Sequence, residues 1–247
     1  MQPTPEVVLA LVFLPFAAAA LVPAAFRVLG ERTAYYAAAA ALGCLALVVQ
    51  LIRTGARGTV TLPWIPSLDV SLAFHVDGLS LLIALLASAV GVLILTYSGG
   101  YMHGEPAQAR YYGSLLVFLG SMLGVAMAAD LISLFVFWEL TSLSSFLLIG
   151  HYSNESASQY AARKSMLVTV SGGLFMLVGF LLLARTAGTF ALFGTADAIL
   201  ANPGAVRTAL VEAGLLVPVL GLLAVGAATK SAQVPFHVWL PNAMEAP

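Results

Sequence analysis

Two ionisable side chains stand inside long apolar runs: Glu139 in DLISLFVFWELTSLSSFLLIG and Lys230 at the end of GLLVPVLGLLAVGAATK. A carboxyl and an amine both bind and release protons, and inside a bilayer either is costly enough to mark an ion or proton path. Glu139 lies nine residues beyond Asp130, about 13 Å along a helix that rises ~1.5 Å per residue. That depth is close to the midplane of a ~30 Å hydrocarbon core. Ser142 and Ser145 follow at helical spacing and offer Glu139 a polar stripe to face. The competing reading is a structural carboxyl that pins two helices together.

Lys230 precedes Ser231-Ala232-Gln233-Val234-Pro235. Proline lacks a backbone donor and clashes with the preceding turn, so the helix is expected to break near Pro235. Broken membrane helices are tolerated where they line a cavity, and transporters place ion sites at such breaks. Moving a counter-charge towards or away from a desolvated lysine changes whether it keeps its proton. The alternative is a lysine that snorkels from a helix end to the interface. Because Phe236, Val238, Trp239 and Leu240 resume the apolar pattern, the buried reading is favoured. His237, seven residues after Lys230, titrates near neutrality and could relay a proton. Equally, it could be an interfacial histidine without a role.

These residues need membrane helices to hold them. Of 247 residues 61% are hydrophobic and 9% charged, with a mean hydropathy of +0.99. Soluble domains carry about 45–50% apolar and about 25% charged residues, so soluble enzymology is excluded and the chain is expected to be all-α and polytopic. Net charge is −1, which excludes a basic field for nucleic acid. The lone Cys44 can form neither an internal disulfide nor an iron–sulfur cluster. No nucleotide-binding glycine motif, metal-ligand spacing or nucleophile elbow is present, so no cofactor, metal site or catalytic group is expected.

About seven transmembrane helices are expected, each needing ~20 residues. They fall near 7–26, 34–52, 78–97, two within 111–150, 165–184, and one starting near Arg207. Residues 7–26 lack the basic flank of a signal peptide and read as a retained helix. Asp77 is the natural N-cap of the third, and Asp130 the turn that splits the 111–150 run. Between the second and third, residues 59–76 alternate apolar and polar around Pro66-Ser67 and read as a short β-hairpin on the membrane surface. Residues 188–204 read as an interfacial loop. His75, His103 and His151 are expected to be solvated, Arg163 and Lys164 to anchor a helix edge, and the glycines of SGGLFMLVG (171–179) to serve close helix packing. An outside N-terminus puts Arg27, Arg32, Arg110, Arg163 and Lys164 inside and Arg53, Arg57, Arg185 and Arg207 outside. That is five against four by the positive-inside rule.

The stretches YMHGE (101–105), ARYYGSLLVFLGSMLGV (109–125), DLISLFVFWELTSLSSFLLIGHY (130–152) and ATKSAQVPFHVWLPNAMEAP (228–247) carry a resemblance. They resemble the antiporter-like membrane subunits shared by respiratory complex I and the Mrp-type cation/proton antiporters, and look most like the A-type Mrp subunits. The resemblance implies a fold of about fourteen helices built on inverted repeats, of which this chain would be an incomplete N-terminal half forming one domain, 1–247. It also implies that a fifth-helix glutamate, here Glu139, pairs with a lysine on the broken seventh helix, here Lys230. His237, from PFHVWLP, would join the same polar path.

The function so implied is that of an ion-translocating subunit of a secondary-active Na⁺/H⁺ antiporter, not an enzyme. Its partners would be other membrane subunits of a hetero-oligomeric complex, the ions Na⁺ and H⁺, and the lipid bilayer. Its location would be a bacterial cell membrane, with the N-terminus outside. The alternatives are a proton-pumping subunit of an NADH:quinone oxidoreductase and a non-transporting membrane scaffold.

Overall fold

The computed structural model describes residues 2–68 and 70–247; residue 69, in the expected hairpin, lies outside the described residues. The chain divides into two compact units, one of residues 1–58 and 76–127, the other of residues 59–75 and 128–247.

Among its described residues the first unit holds four α-helices: α1 (Pro5–Leu29), α2 (Thr33–Arg53), α3 (Gly78–Tyr101) and α4 (Gln108–Met127). A 3₁₀ turn at Gly30–Arg32 folds α2 back along α1, and Gly30 supplies the positive φ of 56° that the reversal needs. Tyr36 Oη then donates to Ala18 O at 3.1 Å, deep between the two antiparallel helices. Ala34, Ala37, Ala38 and Ala41 are buried and let neighbouring backbones approach closely. Asp77 caps α3 as expected: its carboxylate accepts from Ser80 N at 2.7 Å while Ser80 Oγ accepts from Asp77 N at 2.8 Å. Tyr112 Oη donates to Ser98 O at 3.1 Å, tying α4 to α3. The α1–α2 and α3–α4 connections meet through an ion pair of His103 with Glu31 at 2.6 Å.

The second unit opens with the hairpin, β1 (Gly58–Ile65) and β2 (Val70–Val76), joined by a 3₁₀ turn at Pro66–Leu68. Then come α5 (Leu131–Ile149), α6 (Ser156–Ala187), α7 (Pro203–Glu212) and α8 (Leu216–Lys230), and two 3₁₀ turns at Phe236–Trp239 and Pro241–Glu245. Asp130 caps α5, its Oδ1 accepting from Ile132 N at 2.8 Å and Ser133 N at 3.2 Å. The backbone around that cap is held from two sides. Ala129 N donates to Ala73 O in the hairpin at 2.8 Å, and Leu131 N donates to Phe190 O at 3.0 Å.

Among the described residues, five helical stretches are long and apolar enough to cross a bilayer, six if the bent pair α7–α8 counts as one; the first of them, Pro5–Arg53, contains both α1 and α2. The sequence places most of these elements within a few residues, but not the sixth and seventh. Helix α6 begins at Ser156 rather than near 165, because Lys164 is held inside the helix by Asn242 Oδ1 at 2.9 Å instead of marking an edge. The stretch beginning near Arg207 is two helices inclined at 113°, with Gly214 at φ +67° in the bend. His151 is buried rather than solvated, edge-on to Tyr152. His75 is half-buried, its Nδ1 within 2.8 Å of Thr59 Oγ1 and its ring stacked on Phe193.

Candidate functional site

Glu139 sits near the middle of α5, which runs 19 residues between the Asp130 cap and Gly150. Helix α6 lies beside α5 and α8 crosses α6, so the last turn of α8 comes level with the middle of α5. The crossing is close because the contact positions are glycines. A methyl group added at Gly172 would fall on the Thr229 side chain, and one at Gly226 would sit 2.5 Å from Met176 Cβ. The glycines of SGGLFMLVG therefore do pack helices closely, and one of them does more than that. A methyl at Gly173 would land on the Glu139 carboxyl.

Helix α8 ends at Lys230, and Ala232 at φ +52° turns the chain aside before Pro235 is reached. Trp239 Nε1 donates back to Thr229 O at 2.9 Å, holding the 3₁₀ segment against the helix end. The side chain of Lys230 reaches across to α5. Its Nζ donates to Ser142 Oγ at 2.7 Å and to Trp138 O at 3.3 Å, and it lies 5.6 Å from the centre of the Trp138 ring. Thr141 Oγ1 shares the same Trp138 carbonyl at 2.6 Å. Lys230 thus occupies the turn of α5 that contains Glu139, yet no hydrogen bond or ion pair joins the two among the described residues.

Glu139 Oε1 is buried and has no hydrogen-bond partner among the described residues, and the same holds for Trp138 Nε1. A buried carboxyl oxygen without a partner is costly. Chemically, such an oxygen can accept a proton or a hydrogen bond from an amine. On another side the carboxyl borders a pocket of about 380 Å³ whose remaining lining (Phe135, Val136, Leu140, Leu143, Met166 and Val170) is apolar.

The structure thus brings two of the three residues singled out from sequence into one neighbourhood. His237 is exposed in the 3₁₀ segment, and its side chain makes no hydrogen bond or ion pair among the described residues. The serine stripe divides differently from the expectation: Ser142 serves Lys230 and not Glu139. Sequence reasoning does not single out Trp138, and it reads Gly173 only as one of the helix-packing glycines. Their signal is adjacency, since Trp138 precedes the buried acid and Gly173 lies in the paired glycines of α6. No group of three or more His, Cys, Asp or Glu side chains that could hold a metal ion occurs among the described residues.

Residues 128–247 match the transmembrane family described as NADH:quinone oxidoreductase/Mrp antiporter, and residues 63–112 match the N-terminus of chain 5 of NADH-ubiquinone oxidoreductase, complex I. The A-type subunit of the Na(+)/H(+) antiporter of Alkalihalophilus pseudofirmus is 42% identical over 238 residues, 94% of this chain and 29% of the relative. The A/B-type subunit of a probable K(+)/H(+) antiporter of Rhizobium meliloti is 40% identical over 216 residues, 86% of this chain and 21% of the relative. A chain in the solved Mrp complex of a Dietzia species superposes with a TM-score of 0.85 at 31% identity, covering 97% of this chain and 25% of that one. The chain belongs to the antiporter-like membrane subunits shared by complex I and the Mrp antiporters, and spans less than a third of the length of these relatives.

Proposed function

We propose that the chain is part of an ion-translocating subunit of a monovalent cation/proton antiporter complex, with Glu139 and Lys230 as its proton-handling pair. The observation that carries this reading is the position of Lys230 Nζ, on Ser142 and Trp138 in the very turn that bears Glu139. A short swing of the lysine side chain would exchange these neutral partners for the carboxylate. Paired with Glu139 the amine keeps its proton; on the neutral partners, in an apolar surrounding, it is readied to give the proton up. His237 is the proposed acceptor, reached when the 3₁₀ segment beyond Pro235 moves. The driving force would be the opposing cation gradient, so no covalent step is needed.

The path proposed has seven crossings in a bacterial cell membrane, with α1 starting outside and the α7–α8 pair as the broken seventh. Other membrane subunits would complete the complex.

The test is cation/proton exchange in everted vesicles from antiporter-deficient bacteria that carry the complete complex. Glu139→Gln and Lys230→Ala should each abolish exchange at normal membrane levels. Normal exchange in either variant removes the pair from the path and leaves a scaffold role. The match of residues 63–112 to a complex I chain favours a second reading, a redox-driven proton pump. Copurification of flavin and iron–sulfur subunits, with no exchange in the parent vesicles, would select it.

A further inference from the structure

Gly173 stands in the middle of α6, where the helix faces α5. The atoms a β-carbon there would meet are those of the Glu139 carboxyl, and that carbon would overlap Oε1. Its neighbour Gly172 faces the other way in this respect, since a β-carbon there would meet Thr229 on α8. The two adjacent glycines therefore have separate tasks: Gly172 admits α8, and Gly173 admits the acid. Oε1 gains no hydrogen bond from lying against the Gly173 backbone. What holds the carboxyl there is space, while Lys230 is held apart on Ser142 and Trp138.

We infer that Gly173 is a positioning residue for Glu139: the missing side chain is the niche that keeps the acid off Lys230 and sets the gap across which the pair opens and closes. The inference rests on the proton-handling role proposed above for its functional consequence, but its geometric content stands by itself. Any side chain at 173 must push a full-length glutamate out of the niche. An aspartate at 139, one methylene shorter, leaves room for the added methyl.

The test is a double-mutant cycle on the purified complete complex, read both as thermal midpoint and as exchange in vesicles. In the Glu139 background, Gly173→Ala should lower the midpoint and reduce exchange about tenfold, the size of a coupling expected for residues in contact. In the Glu139→Asp background, Gly173→Ala should change neither reading. Gly172→Ala is the control: it should lower the midpoint equally in both backgrounds, because its clash is with Thr229. If Gly173→Ala lowers the midpoint equally in both backgrounds, it acts through helix packing alone and the inference is overturned. If the midpoints couple but the parent shows no exchange, the niche stands and the antiporter reading falls.

Discussion

Glu139 and Lys230 are held by different means, and the difference shapes what each substitution should do. Lys230 has specific partners, a hydroxyl and a carbonyl on α5, whereas Glu139 is confined by space. Ser142→Ala removes the hydroxyl that competes with the carboxylate for the amine. A hydrogen bond to a charged group contributes about 1.5–3 kcal/mol. Exchange should therefore slow about tenfold or more, because each ~1.4 kcal/mol is a factor of ten. Ser142→Thr keeps the hydroxyl and should restore most of the rate, as measured in the same vesicles. A Ser142→Ala variant that exchanges at the parent rate would show that the lysine does not rest on α5 during the cycle. Both charged residues were legible in the sequence because ions in apolar runs are conspicuous. The serine's true partner was not, since it comes from a helix 88 residues away.

Among the elements, α5 and α8 differ in how their ends are secured. Helix α5 has a carboxylate N-cap and backbone hydrogen bonds on both sides of that cap. Helix α8 has no side-chain cap at its start and ends in a turn. Asp130→Ala should cost about 0.5–2 kcal/mol, the usual loss on removing a good N-cap. It should appear as a lower thermal midpoint of the purified complex with little change in the exchange rate per folded molecule. Helices α1 to α5 and the hairpin could be read from hydrophobic runs, Asp caps and the Pro66-Ser67 turn. The start of α6 was missed because Arg163 and Lys164 look like a membrane edge, and the Asn242 that accommodates Lys164 lies 78 residues further on. The bend between α7 and α8 carried a weak signal, one glycine in an apolar stretch.

At the scale of the whole molecule, the proposed seven-crossing path makes a concrete prediction about accessibility. With Cys44 replaced by alanine, single cysteines at His103 and Asn154 should react with a membrane-impermeant thiol reagent from the cytoplasmic side. Cysteines at Trp64 and Asp197 should react from the outside. The reverse pattern would invert the orientation, which the basic residues favour only by five to four. The membrane class and the family resemblance were legible because they follow from composition and local motifs. The division into two compact units depends on which helices pack together, and no local pattern states that.

The cap of α5 also has a history in time. The hydrogen bond from Leu131 N needs Phe190 O, so it cannot form until some sixty residues more have been made. At ~5–20 residues per second that delay is roughly 3–12 s. Throughout it, α5 can already draw on the hairpin and on its own aspartate, because the hairpin has been made and Asp130 Oδ1 accepts from Ile132 N and Ser133 N just after it. The aspartate that reads in the sequence as a turn between helices is, on this view, what lets the site-bearing helix begin correctly during biosynthesis, before the loop that later secures it exists.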